Sequence, residues 1–221
     1  MVTLCENCHH ETHNAKPKKP KKLKAVTKSP KIIFYRSLLK GMKELTPNEK
    51  ILYSFLVSKA LTHTKWSFNE KQGKLNKNAL INFFKNQGNW LPICNTNHSK
   101  IARELHVSRR NVINGFKSLE QYGYIKFFKD HWRVYVDWKL LNGGYFELHR
   151  LGEVNGMLAI FYAYIADKGS RHDYNIDTWK VQMARDLDTT FVAITNLLNR
   201  LYRLKLAKRL DNGRLLVKQP E

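Results

Sequence analysis

The stretch from Ser108 to Gly123, SRRNVINGFKSLEQYG, most narrows what this chain can fold into. It carries a start, a buried stripe and a stop. Ser108 is a helix N-cap type, because its hydroxyl can accept from the free amides of a first helical turn. Val112, Phe116 and Leu119 recur at spacings of four and three, which lines one face of a helix. Gly123 suits the left-handed position just past a helix end. Arg109, Arg110, Ile113, Asn114 and Lys117 lie off the stripe, and Asn111 shares the first turn with the two arginines.

The flanks give this helix a setting. Ser99 to Leu105 reads as a short helix with Ile101, Ala102 and Leu105 inward, and His106-Val107 makes the turn. Tyr124–Phe128 and Trp132–Trp138 read as strands around Lys129-Asp130-His131, a β-hairpin. Upstream, Trp90-Leu91-Pro92-Ile93 reads as a small strand. Helix, turn, helix and basic hairpin together read as a winged helix-turn-helix from Trp90 to Trp138. The second helix of such a unit enters the major groove of double-stranded DNA. Arginine can pair twice with guanine and asparagine twice with adenine. A helix N-terminus suits a phosphate. Lys126, Lys129 and Arg133 of the hairpin are placed to reach the flanking DNA backbone.

The run VSRRNVINGFKSLEQYGYI, Val107 to Ile125, resembles the recognition segment of bacterial winged-helix proteins. These include regulators of the GntR and MarR type and many plasmid and phage replication initiators. Ser108, Val112, Phe116, Leu119, Gly123 and Ile125 carry the match, which spans under a fifth of the chain. The resemblance implies that Arg109, Arg110, Asn111 and Asn114 fall where these families contact bases. It also implies a replication initiator or origin-binding protein, or alternatively a transcriptional regulator, with replication or transcription proteins as partners.

A second, weaker copy of the arrangement follows. Met157, Leu158, Phe161, Tyr162 and Ile165 recur at helical spacing, and Asp177–Leu187 fits a short helix. Thr190 stands in the place of Ser108, and Ile194, Leu198 and Leu201 repeat the buried spacing. Asp211-Asn212-Gly213-Arg214 reads as a hairpin turn. The positions matching Arg109, Arg110 and Asn111 are Phe191, Val192 and Ala193, an apolar start that cannot read base edges by hydrogen bonding. Asn196, Asn199, Arg200 and Arg203 on later turns suit phosphate, so this copy is read either as auxiliary DNA contact or as a dimer or partner contact. Lys205 replaces the helix-ending glycine.

The expected architecture is mainly α with small β-hairpin wings, as tandem winged helix-turn-helix domains. A basic tail covers residues 1–30, a first domain 31–141 and a second 145–221, with Asn142-Gly143-Gly144 as the boundary. Thr46-Pro47-Asn48-Glu49 starts a scaffolding helix bearing Ile51, Leu52, Phe55 and Leu56. Thr62 to Gly88 reads as an insertion with a short helix around Ala79–Phe84. In the tail, KPKKPKKLKAVTKSPK combines prolines with dense like charge, which opposes folding and suits sequence-independent phosphate contact.

Composition agrees with a polyanionic partner. Lysine and arginine number 39 against 18 acids, a net charge of +21, and such an excess repels itself unless it is neutralised. No apolar run approaches the roughly 18 residues of a membrane span. No signal peptide is legible, and three cysteines make no disulfide framework, so a cytoplasmic location without membrane contact is expected. Cys5, Cys8, His9 and His13 are metal-ligand types, and Val2–His13 resembles the last segment of HNH nucleases. The upstream histidine and asparagine of that fold have no counterpart, so neither nuclease activity nor a metal site is assigned. The haem-attachment pattern Cys5-Glu6-Asn7-Cys8-His9 is set aside for want of an export signal. With no phosphate-binding glycine loop, nucleophile elbow or clustered carboxylates, no enzymatic activity and no cofactor is expected.

Overall fold

Thr46 and Glu49 close a reciprocal cap. The Thr46 amide donates to Glu49 Oε2 at 2.7 Å and the Glu49 amide to Thr46 Oγ1 at 3.4 Å, the capping box expected there. The computed structural model describes residues 32–63, 77–93, 96–148, 151–169 and 176–218. The basic tail and the cysteine-histidine segment lie outside the described residues.

The cap opens α1 (Pro47–His63). Before it come β1 (Ile32–Tyr35) and a 3-10 turn (Arg36–Leu39). After it follow α2 (Lys77–Gln87), β2 (Trp90–Pro92), α3 (His98–Glu104), α4 (Arg109–Gln121), β3 (Ile125–Phe128) and β4 (His131–Tyr135). Then come α5 (Trp138–Asn142), β5 (Tyr145–Leu148), α6 (Gly156–Gly169), α7 (Ile176–Asp186), α8 (Phe191–Arg203), β6 (Ala207–Arg209) and β7 (Leu215–Val217). The described chain is mainly α-helical, with small antiparallel sheets β1–β5, β2–β4–β3 and β6–β7. The expected helix around Ala79–Phe84 lies within α2, and His131 belongs to β4 rather than to the hairpin turn.

The centre is built from α1 and α6, which pack on each other. Ile51–Val57 and Leu158–Ile165 are buried without a break, as in helices enclosed on all sides. Buried hydroxyls tie these helices to their sheets. Ser54 accepts from the Tyr35 amide at 3.2 Å and donates to the Ile33 carbonyl at 2.8 Å. Tyr53 donates to the Tyr135 carbonyl, and Tyr162 to the Lys218 carbonyl, each at 2.6 Å. Gly143 and Gly144, just past the end of α5, lead into β5, which pairs with β1 from Ile32↔Leu148 to Tyr35↔Tyr145. One hydrophobic core runs across that junction.

An internal repeat is visible in the backbone. Helices α4 and α8 have the same length of 13 residues, and each follows a short helix through a tight turn. Ser108 Oγ accepts from the Asn111 amide and Thr190 Oγ1 from the Ala193 amide, both at 3.1 Å. The turns carry left-handed His106 (φ 51°) and Asp188 (φ 49°). The bond from the Val107 amide to the Ala102 carbonyl, 3.0 Å, recurs from Thr189 to Ala184 at 2.9 Å. The bond from Tyr124 to Leu119, 2.8 Å, recurs from Leu206 to Leu201 at 3.0 Å. Gly123 (φ 75°) and Lys205 (φ 55°) both take the left-handed conformation past the helix end. The lysine therefore does the glycine's work at a steric cost.

Candidate nucleic-acid interface

Helix α4 is held from behind and free in front. Val112, Phe116 and Leu119 are buried, and Gly115 lets α1 come close, since a Cβ there would stand 2.6 Å from Leu52 Cδ2. A small cavity of about 40 Å³ lies where α4, α1 and the start of α6 meet, lined by Leu52, Asn111, Gly115 and Asn155 among others. On the opposite side Arg110, Asn114, Lys117 and Gln121 are exposed, and the helical period puts them in one stripe. Arg109 and Asn111 flank its start and are exposed too. Arg110, Asn114 and Lys117 make no ion pair or side-chain hydrogen bond among the described residues. The residues that the sequence placed off the buried stripe thus include an exposed row whose polar groups are uncommitted among the described residues.

The hairpin is joined to this helix through rings. Trp132 meets Phe116 edge-on at 5.4 Å, and Phe116 meets His98 at 4.8 Å. Asn97 opens α3 by accepting from the Ser99 and Lys100 amides at 3.0 and 3.2 Å. The Nε2 of His98 is shielded and lacks a hydrogen-bond partner among the described residues. Burial, and then the charge of Arg109, lower its pKa below the ordinary 6.5. The unfolded chain therefore takes up this proton first. The contribution of neutral His98 to stability is full above about pH 6.5 and is lost as pH falls through the folded-state pKa. Thermal melts from pH 8 to 5 are expected to show a smaller acid destabilisation for His98→Phe than for the unaltered chain. An identical pH dependence would show that His98 titrates normally.

The three hairpin cations do not extend freely into solvent. Lys126 Nζ sits 4.1 Å from the Trp90 ring centroid, Lys129 Nζ 5.7 Å and Arg133 Cζ 4.6 Å from that of Phe128. Arg133 also donates to His131 Nε2 at 3.1 Å, and His131 Nδ1 lies 2.8 Å from Asp130 Oδ1. The sequence singled out the cations but neither Trp90 nor Phe128. The one available signal was Phe127-Phe128, since adjacent residues on a strand face opposite ways.

In the second unit Ile194, Leu197, Leu198 and Leu201 are buried, while Asn196, Asn199, Arg200 and Arg203 are exposed. Asn196, Asn199 and Arg203 take the helical positions of Asn114, Lys117 and Gln121, and Val192 takes that of Arg110. Val192 is 65% exposed and Phe191 49%, so the apolar start foreseen from the sequence faces outward. Among the described residues no helix is long and apolar enough to cross a membrane. No protein-family model matches the chain, and no curated protein is detectably similar to it.

Proposed function

We propose that this chain binds double-stranded DNA sequence-specifically through two winged helix-turn-helix units, the first of which reads bases with α4. The observation that carries the reading is the stripe of Arg110, Asn114 and Lys117. It is exposed, uncommitted, and borne on a helix whose other side is locked into the core. Arginine and asparagine there match the paired donors and acceptors of guanine and adenine edges. Lys126, Lys129 and Arg133 stand on the adjoining hairpin as backbone contacts. The second unit contributes Asn196, Arg200 and Arg203 to phosphate, while Phe191 and Val192 favour a protein partner such as a second copy.

The repeat, whose second copy begins its helix with Phe191, Val192 and Ala193 where the first has Arg109, Arg110 and Asn111, supports a plasmid or phage replication initiator. The test is selection of bound duplexes from a random pool, followed by mapping of the enriched site. One enriched motif is expected, repeated beside the gene, and the element should fail to replicate without the protein. A promoter site whose loss changes transcription but not replication would make it a regulator instead. No enrichment at all would remove the base-reading role.

A further inference from the structure

The outward face of the β2–β4–β3 sheet has a composition that duplex backbone contact does not require. Register pairs Trp90 with Tyr135, Pro92 with Arg133, Lys126 with Arg133, and Phe128 with His131. Trp90, Tyr135, Lys126, Arg133, Phe128 and His131 therefore share one face. The opposite face carries Leu91, Val134 and Ile125, all buried. Along the outward face rings and cations alternate. Phe128 is 38% exposed, and Lys126 lies between its ring and that of Trp90, at 5.9 and 4.1 Å from the centroids. The acid at its edge, Asp130, is engaged with His131.

Partly exposed rings with cations resting on them are the elements of a surface that stacks unpaired bases and neutralises their phosphates. A base has a π-face whatever its sequence, and a cation displaced from a ring finds a phosphate beside it. We propose that this face is a second nucleic-acid site, taking single-stranded DNA, with Phe128 and Trp90 as stacking residues and Lys126, Lys129 and Arg133 as phosphate partners. The proposal rests on the reading of the first unit as DNA-binding: the two sites share Lys126, Lys129 and Arg133, and they differ in Phe128 and Trp90, which stack the single strand, and Arg110, which reads the duplex.

The test uses the full chain and a labelled oligo(dT) of about 16 nucleotides, followed by fluorescence anisotropy, with the selected duplex measured in parallel. Phe128→Ala is expected to weaken oligo(dT) binding by roughly tenfold. Phe128→Tyr should keep it, and Arg110→Ala should leave it unchanged. Phe128 lies at the exposed tip of the hairpin, and a melting curve for each variant checks that the fold is kept. Oligo(dT) binding untouched by Phe128→Ala, or tighter binding of oligo(rU) than of oligo(dT), overturns the proposal while duplex reading stands. If no duplex motif is enriched but oligo(dT) binding still depends on the Phe128 ring, the stacking face stands and the reading helix falls.

Discussion

Arg110→Ala is expected to cost about 1–3 kcal/mol of affinity for the preferred duplex and to relax preference at one base position. Non-specific binding should change little. The side chain leaves the first turn of a helix whose cap, Ser108 to Asn111, is closed and whose back is buried at Val112, Phe116 and Leu119. A guanidinium on a fixed helix meets a base edge with little ordering left to do, and it has no competing ion pair among the described residues. The measurement is a titration on the selected and a scrambled duplex at several salt concentrations. Equal loss on both duplexes would mean that Arg110 contacts phosphate, and the reading helix would have to be sought elsewhere.

Phe116→Ala should have a larger effect on the fold, about 3–5 kcal/mol of lost stability. Its side chain is 2% exposed and wedged between the His98 and Trp132 rings, so its removal opens a hole at the joint of α3, α4 and the hairpin. Duplex and single-strand binding should both weaken, because that joint sets where helix and hairpin stand. Chemical denaturation reads the first effect and anisotropy the second. A loss under about 1 kcal/mol would show that the joint is held by other contacts.

Much of the candidate site was legible because its signals are local. The Ser108 cap, the Val112–Phe116–Leu119 stripe and the Gly123 stop lie within one helix, and hydrogen bonds along that helix satisfy them. The repeated helix of the second unit was legible for the same reason, except at Lys205, which stands where a glycine was expected and takes the left-handed backbone all the same. The pairing of β1 with β5 was not legible. Each is a four-residue strand, too short for alternation to stand out, and the two are far apart in the chain. The unbroken burial of Ile51–Val57 in α1 and of Leu158–Ile165 in α6 was not legible, because a helical segment buried on all sides has no polar face to set a period. Gly115 carried no signal in the sequence, because its reason, Leu52 of another helix, is tertiary. The ring-and-cation face depends on strand register: only the pairing of Trp90 with Tyr135 and of Lys126 with Arg133 brings Lys126 beside the indole.

The pairing of β1 with β5 also orders events during synthesis. Ile32 leaves the ribosome well before its register partner, Leu148, which is made only after α1 to α4 and the hairpin. Until then Ile32 and Phe34, both fully covered in the finished protein, have no strand beside them, and closing so long a loop is an entropic cost met before the pairing rewards it. The β2–β4–β3 sheet, whose strands lie much closer in sequence, can assemble first. The nascent chain thus acquires its hairpin and α4 while β1 is still an open edge, and such an edge is exposed to pairing with another chain.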